Sequence, residues 1–218
     1  MKSCNAPKHQ TARRILLIAC ATALAVAFTV PLPQPAHAAH VTPPEVPARL
    51  VPAGATAFLV GHALGTQNYV CLPSGAGFAF VLFTPEATLF GDNGKQIITH
   101  YFSPNLGPIP PEVIGTIRAT WQDSHDTSTV WASATEIATH DSDPDFVQEG
   151  AVAWVLLQVV GSQSGPIGSN KLTPTTFVQR VNTSGGLAPS TGCASLADVG
   201  REAFMPYTAD YVFFTGGN

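Results

Sequence analysis

One cation in this chain lies where its surroundings are poor in water. Arg180 falls in a half-apolar stretch with Phe177, Val178 and Val181, and a charge drawn into such a place needs a counter-charge or several hydrogen bonds. Asp210, in the final strand-like stretch, is the acid the pattern offers. Arg180 therefore has two readings, a structural ion pair with Asp210 or an anchor for a ligand, because perturbed charges gather at sites and in frameworks alike. Trp121, Trp131 and Tyr207 could line a sugar- or lipid-facing groove, or fill a core.

The remaining chemistry-bearing residues form weaker patterns. His100, His125 and His140 lie among many carboxylates, but no H-x-H, H-E-x-x-H or C-x-x-C spacing is present, so a zinc or copper site would need ligands from distant strands. Asp141-Ser-Asp143-Pro-Asp145 alternates carboxylates as hard-cation loops do, yet Phe146 and Val152 stand where an EF-hand has its Gly and Glu. Gly161-Ser-Gln-Ser-Gly165 carries Gln163 where a nucleophile elbow has serine. No glycine-rich phosphate loop occurs, and no acid pair is singled out for glycoside hydrolysis. These residues imply neither a metal nor a cofactor. A metal- or acid-assisted hydrolase acting on extracellular polymer would draw on His100, Asp123, His125 and Arg180. The leading expectation is a non-enzymatic role, binding a small molecule or extracellular polymer or serving a structural purpose.

Positioning such residues falls to strands. Only 11% of the chain is charged, Gly and Pro number 19 each, and no run of good helix formers recurs on a 3.6 period. β-branched and aromatic runs predict strands over 56–63, 66–72, 78–83, 87–90, 96–102, 116–122, 129–135, 151–160, 175–183 and 206–214. Asn93-Gly94 offers the positive φ angles of a tight hairpin turn. The 116–122 strand alternates, with Ile117, Ala119 and Trp121 on one face, whereas 151–160 is apolar on both faces, as in a central strand. The proline-rich 103–111 stretch reads as irregular and the acidic 140–150 stretch as an exposed loop. About ten short antiparallel strands predict an all-β sandwich or flattened barrel.

The start of the chain supplies an address. Lys2, Lys8, Arg13 and Arg14 precede an apolar run from Ile15 to Val30, and Ala36-His37-Ala38 follows. These are the parts of a secretory signal peptide over 1–38, cut between Ala38 and Ala39. Leu17-Ile-Ala-Cys20 resembles a lipoprotein box and Arg13-Arg14 a twin-arginine signal, but the A-x-A site accounts for the whole segment. The apolar run is short for a membrane span, and none is expected after cleavage. Residues 39–53 then form an extended proline-rich lead-in, and 54–218 a single domain. Export leaves six Lys and Arg against fourteen Asp and Glu, a net charge of −8, which disfavours nucleic acid and anionic lipid as partners. A secreted, periplasmic or envelope-associated monomer is expected. Only Cys71 and Cys193 remain, and an oxidising compartment would join them in one disulfide.

The order of motifs resembles a known family. Gly65-Thr-Gln-Asn-Tyr-Val-Cys71, Pro85-Glu-Ala-Thr-Leu-Phe90, His100-Tyr101, Trp121 followed by Asp123, Trp154-Val-Leu-Leu157, Gln179-Arg-Val-Asn-Thr-Ser-Gly-Gly186, Ala188-Pro189, Gly192-Cys193 and Tyr207-Thr-Ala-Asp-Tyr-Val-Phe-Phe214 are similar to the secreted bacterial and fungal family called domain of unknown function 3455. The resemblance runs from about Pro52 to Phe214. It implies a compact exported domain with cysteines at the positions of Cys71 and Cys193, and no established activity. Where relatives pass by a short Gly-Pro-x-Trp link to an Asp-Gly-Ser turn, this chain inserts 103–115 and has Asp123-Ser-His-Asp126.

Overall fold

β-branched and aromatic side chains on a period of two fit a pleated strand with one face turned to a core, and the chain builds eight of them. The structure, a computed structural model, describes residues 41–217; the expected signal peptide, with Ala38 and Ala39, lies outside the described residues. The strands are β1 (Ala55–Ser74), β2 (Gly77–Phe90), β3 (Gln96–Pro104), β4 (Ile117–Asp123), β5 (Thr129–Ala138), β6 (Trp154–Gln163), β7 (Phe177–Gly185) and β8 (Glu202–Gly216). Each pairs antiparallel with the next, and β8 returns to β1 to close a barrel. The all-β, antiparallel expectation holds in its barrel form. The count is eight because β1 and β2 each join two segments that the sequence pattern separated. The hairpin between β2 and β3 is present, but only Gly94 takes a positive φ, at 71°.

Inward-facing residues fill the barrel. Leu89, Ile98, Trp121, Val130, Leu157, Val178, Tyr211 and Phe213 are buried there with small residues such as Ala63, Ala132 and Ala209. An eight-stranded barrel has an interior that side chains can just fill, or that leaves room for one small ligand. Small residues on β1 let the walls approach: a Cβ added at Gly65 would run into the Glu86 carbonyl of β2.

A second core lies on the outside. Trp154, Leu156, Val181, Val212 and Phe214 form a cluster with Leu50 and Val147. The proline-rich lead-in is thus a strap pressed against the barrel: Leu50 is fully buried, its carbonyl accepts a hydrogen bond of 2.8 Å from Gln179 Nε2, and Arg49 pairs with Asp143. The acidic 140–150 stretch is correspondingly only partly solvated, since Val147 is buried. Cys71 and Cys193 are bonded, with Cα atoms 5.5 Å apart. Among the described residues no helix is long and apolar enough to cross a membrane.

Candidate functional site

Strand register decides which candidate residues meet. In β7 and β8, Arg180 pairs with Tyr211 and Val181 with Asp210. Successive residues point to opposite faces, so Arg180 shares the interior with Tyr211 while Asp210 faces out. The expected Arg180–Asp210 pair is therefore not formed. Asp210 instead meets His62 Nδ1 at 2.7 Å and accepts from Asn182 Nδ2 at 2.8 Å, while His62 Nε2 lies 2.9 Å from Asp92. The Arg180 guanidinium donates from Nε and Nη2 to one acceptor, the Ala153 carbonyl, at 3.1 and 2.8 Å, and it also interacts with the Tyr211 hydroxyl. No carboxylate among the described residues lies within ion-pair distance of it.

Arg180 opens onto a cavity of about 310 Å³, whose lining includes Gln67, Phe102, His100, Trp121, Leu157 and Tyr211. Ligand sites are typically concave, mostly apolar and a few hundred Å³ in volume, with a few polar groups converging in them. Three sequence candidates, His100, Trp121 and Arg180, come together here. Trp121 forms part of the floor, stacked on His100 with ring centroids 4.4 Å apart and planes 9° from parallel; Tyr211 tilts against His100 at 5.0 Å. Three buried side-chain donors have no partner among the described residues, Gln67 Nε2, Trp121 Nε1 and Trp154 Nε1. The first two belong to residues that line the cavity.

The walls are electrically neutral. His100 Nδ1 lies 2.8 Å from the Thr120 carbonyl, an acceptor only, so Nδ1 carries the proton and Nε2 presents a lone pair. Burial lowers the His100 pKa to about 3; the Thr120 carbonyl opposes that shift and the Arg180 charge adds to it. Burial likewise raises Tyr211, against the opposing effect of Arg180. Arg118, which also lines the cavity, is bound to Glu112 through two contacts of 3.2 and 3.0 Å. The net charge in the cavity at neutral pH is that of Arg180.

The other candidates lie elsewhere. Asp123 sits two residues past Trp121 at the end of β4, where its Oδ1 accepts from the backbone N–H groups of His125 and Asp126 at 2.8 and 3.0 Å and its Oδ2 pairs with Lys171 at 3.3 Å. It holds the β4–β5 turn together. His140 Nδ1 contacts the Val147 carbonyl, Trp131 Nε1 donates to Ser103 Oγ, and Tyr207 is buried in the core. The set named for a hydrolase does not assemble, and no group of three metal-ligating side chains occurs among the described residues. Sequence reasoning missed Gln67. The signal was available: Gln67 continues the inward period of Ala63 and Gly65 on β1, so a polar residue was due on the barrel lining.

Fold and cavity define a class: a closed antiparallel barrel with a ligand-sized recess, carrying one guanidinium without a carboxylate partner among aromatic and apolar walls. Within it, the chain belongs to the family described as protein of unknown function (DUF3455), whose model matches residues 52–215. Comparison with curated proteins and with solved structures gives no match.

Proposed function

We propose that this chain is a non-catalytic binding protein, working outside the cytosol, that holds one small molecule in the recess of its barrel. The carrying observation is the cavity of about 310 Å³ beside Arg180, whose walls contain no group that titrates near neutrality. General acid–base chemistry needs a group poised near the working pH, and His100, held near 3, is too weak a base for that task. The basic and apolar N-terminal pattern supports an exported location, as does the Cys71–Cys193 bond, since disulfides persist in oxidising compartments.

A neutral environment-sensitive dye, N-phenyl-1-naphthylamine, tests this. Saturable one-to-one binding is expected, with energy transfer from Trp121. Ala134 lines the cavity yet is exposed, so Ala134→Trp should obstruct the recess without disturbing the core and weaken binding at least tenfold. Ile167→Trp, at a surface residue 79% exposed and outside the cavity, should leave it unchanged. Absence of saturable binding, or equal effects of the two substitutions, would sink the reading.

A further inference from the structure

We infer that the recess selects a singly charged anion on an apolar body, a carboxylate amphiphile, with Arg180 holding the carboxylate; this rests on the binding role proposed above. Three observations converge. First, the chain has fourteen Asp and Glu, and none of them lines the cavity. The charge of Arg180 is left without a protein counter-ion, although its neighbours His100, Trp121 and Tyr211 are almost fully buried. Arg180 is itself only half-buried, but a charge set among buried neighbours is ordinarily paired, and that partner is left for a ligand to supply.

Second, the unsatisfied groups on the recess lining are donors. Gln67 Nε2 and Trp121 Nε1 are buried without partners in residues 1% exposed. Buried polar groups in native proteins are nearly always hydrogen-bonded. These two donors sit on residues of the recess lining beside the guanidinium, and the three together call for an acceptor with two oxygens. A carboxylate has that shape, and guanidinium meets it with matching geometry.

Third, the count of charges fixes the valence. Arg118 is neutralised by Glu112, His100 stays uncharged, and one cation remains. A dianionic phosphate would leave excess charge in the recess, whereas a carboxylate balances it. The rest of the lining, including Leu82, Phe102, Ile117, Val155 and Leu157, is apolar and suits a hydrocarbon or aromatic body.

The test is displacement of N-phenyl-1-naphthylamine from the purified protein by octanoate, 1-octanol and octylamine at neutral pH. Octanoate should compete at concentrations at least tenfold below either of the others. Arg180→Met should bring octanoate to the level of octanol while changing octanol less than twofold, and Arg180→Lys should restore part of the preference. If wild-type protein binds dye but takes octanol as well as octanoate, the anion assignment is wrong and the binding role stands. If dye never binds, both fall. The wild-type comparison needs no variant, so misfolding of Arg180→Met does not shield the inference.

Discussion

Protonating His100 would place a second positive charge beside Arg180 in the least hydrated part of the barrel. Folded, its pKa lies near 3; in the unfolded chain it returns to about 6.5. Between those values the unfolded state binds more protons, so stability rises with pH across the window and is lost as pH falls through it. His62 acts in the opposite sense: Asp92 and Asp210 raise its pKa, so its contribution is complete below about 6.5 and disappears as pH climbs through the raised value. Its side chain is 47% exposed, and solvent-screened pairs of this kind contribute roughly 0.2–1 kcal/mol. Asp126, Asp143, Asp198 and Glu112, whose pKa values are lowered, contribute acid sensitivity only once the unfolded carboxylates begin to protonate, below about pH 5. The interval from pH 6.5 to about 5 therefore isolates His100 from them. Unfolding free energy measured in urea should fall by about 1.5–2 kcal/mol across it, and His100→Gln should remove most of that slope whatever it does to absolute stability. An equal slope in the variant would show that the imidazole is not held neutral by the fold.

Among the elements, the strap over residues 41–54 changes what the barrel has to be. Because Leu50 and Val147 cover Trp154, Leu156 and Val212, β6 is buried on both faces, and this is why 151–160 reads as apolar throughout. Leu50→Ala should cost about 2–4 kcal/mol, the range for emptying a buried leucine site; urea unfolding would measure it, and a loss below 1 kcal/mol would mean that the strap lies loosely. The same element marks where sequence reading stops. Periodicity made β4 legible, including Trp121 as an inward residue, and doubly apolar β6 announced a covered strand. The cover itself was not legible, because a proline-rich extended stretch has the same composition whether it docks or trails. Register set the other limit. Arg180 was recognisable as needing a partner and Asp210 as an acid that could supply it, but a one-residue offset between β7 and β8 decides whether they meet, and alternation alone carries no information about that offset. Hence the arginine was legible as a candidate site residue, and the neutral pocket around it was not.

At the scale of the whole molecule, the hydrogen-bond ladder closes on itself, while the β7–β8 connection is a long excursion from residue 186 to 201. Cys193 lies in that excursion and Cys71 near the end of β1. Backbone bonds from Cys71 N–H to the Arg201 carbonyl and from Gly200 N–H to the Cys71 carbonyl already fasten its return. The native barrel therefore depends little on the sulfur bridge for its shape. The unfolded chain depends on it heavily, because the bridged residues are 122 positions apart. In the chain-entropy account a loop of that size restricts the denatured ensemble by about 5 kcal/mol. Replacing both cysteines by serine should consequently lower the unfolding free energy by nearly that amount while leaving dye affinity at the recess unaltered. The denaturant slope should also increase, since an uncrosslinked chain exposes more surface on unfolding. A variant that lost affinity along with stability, at an unchanged slope, would place the bridge's effect in the folded barrel instead.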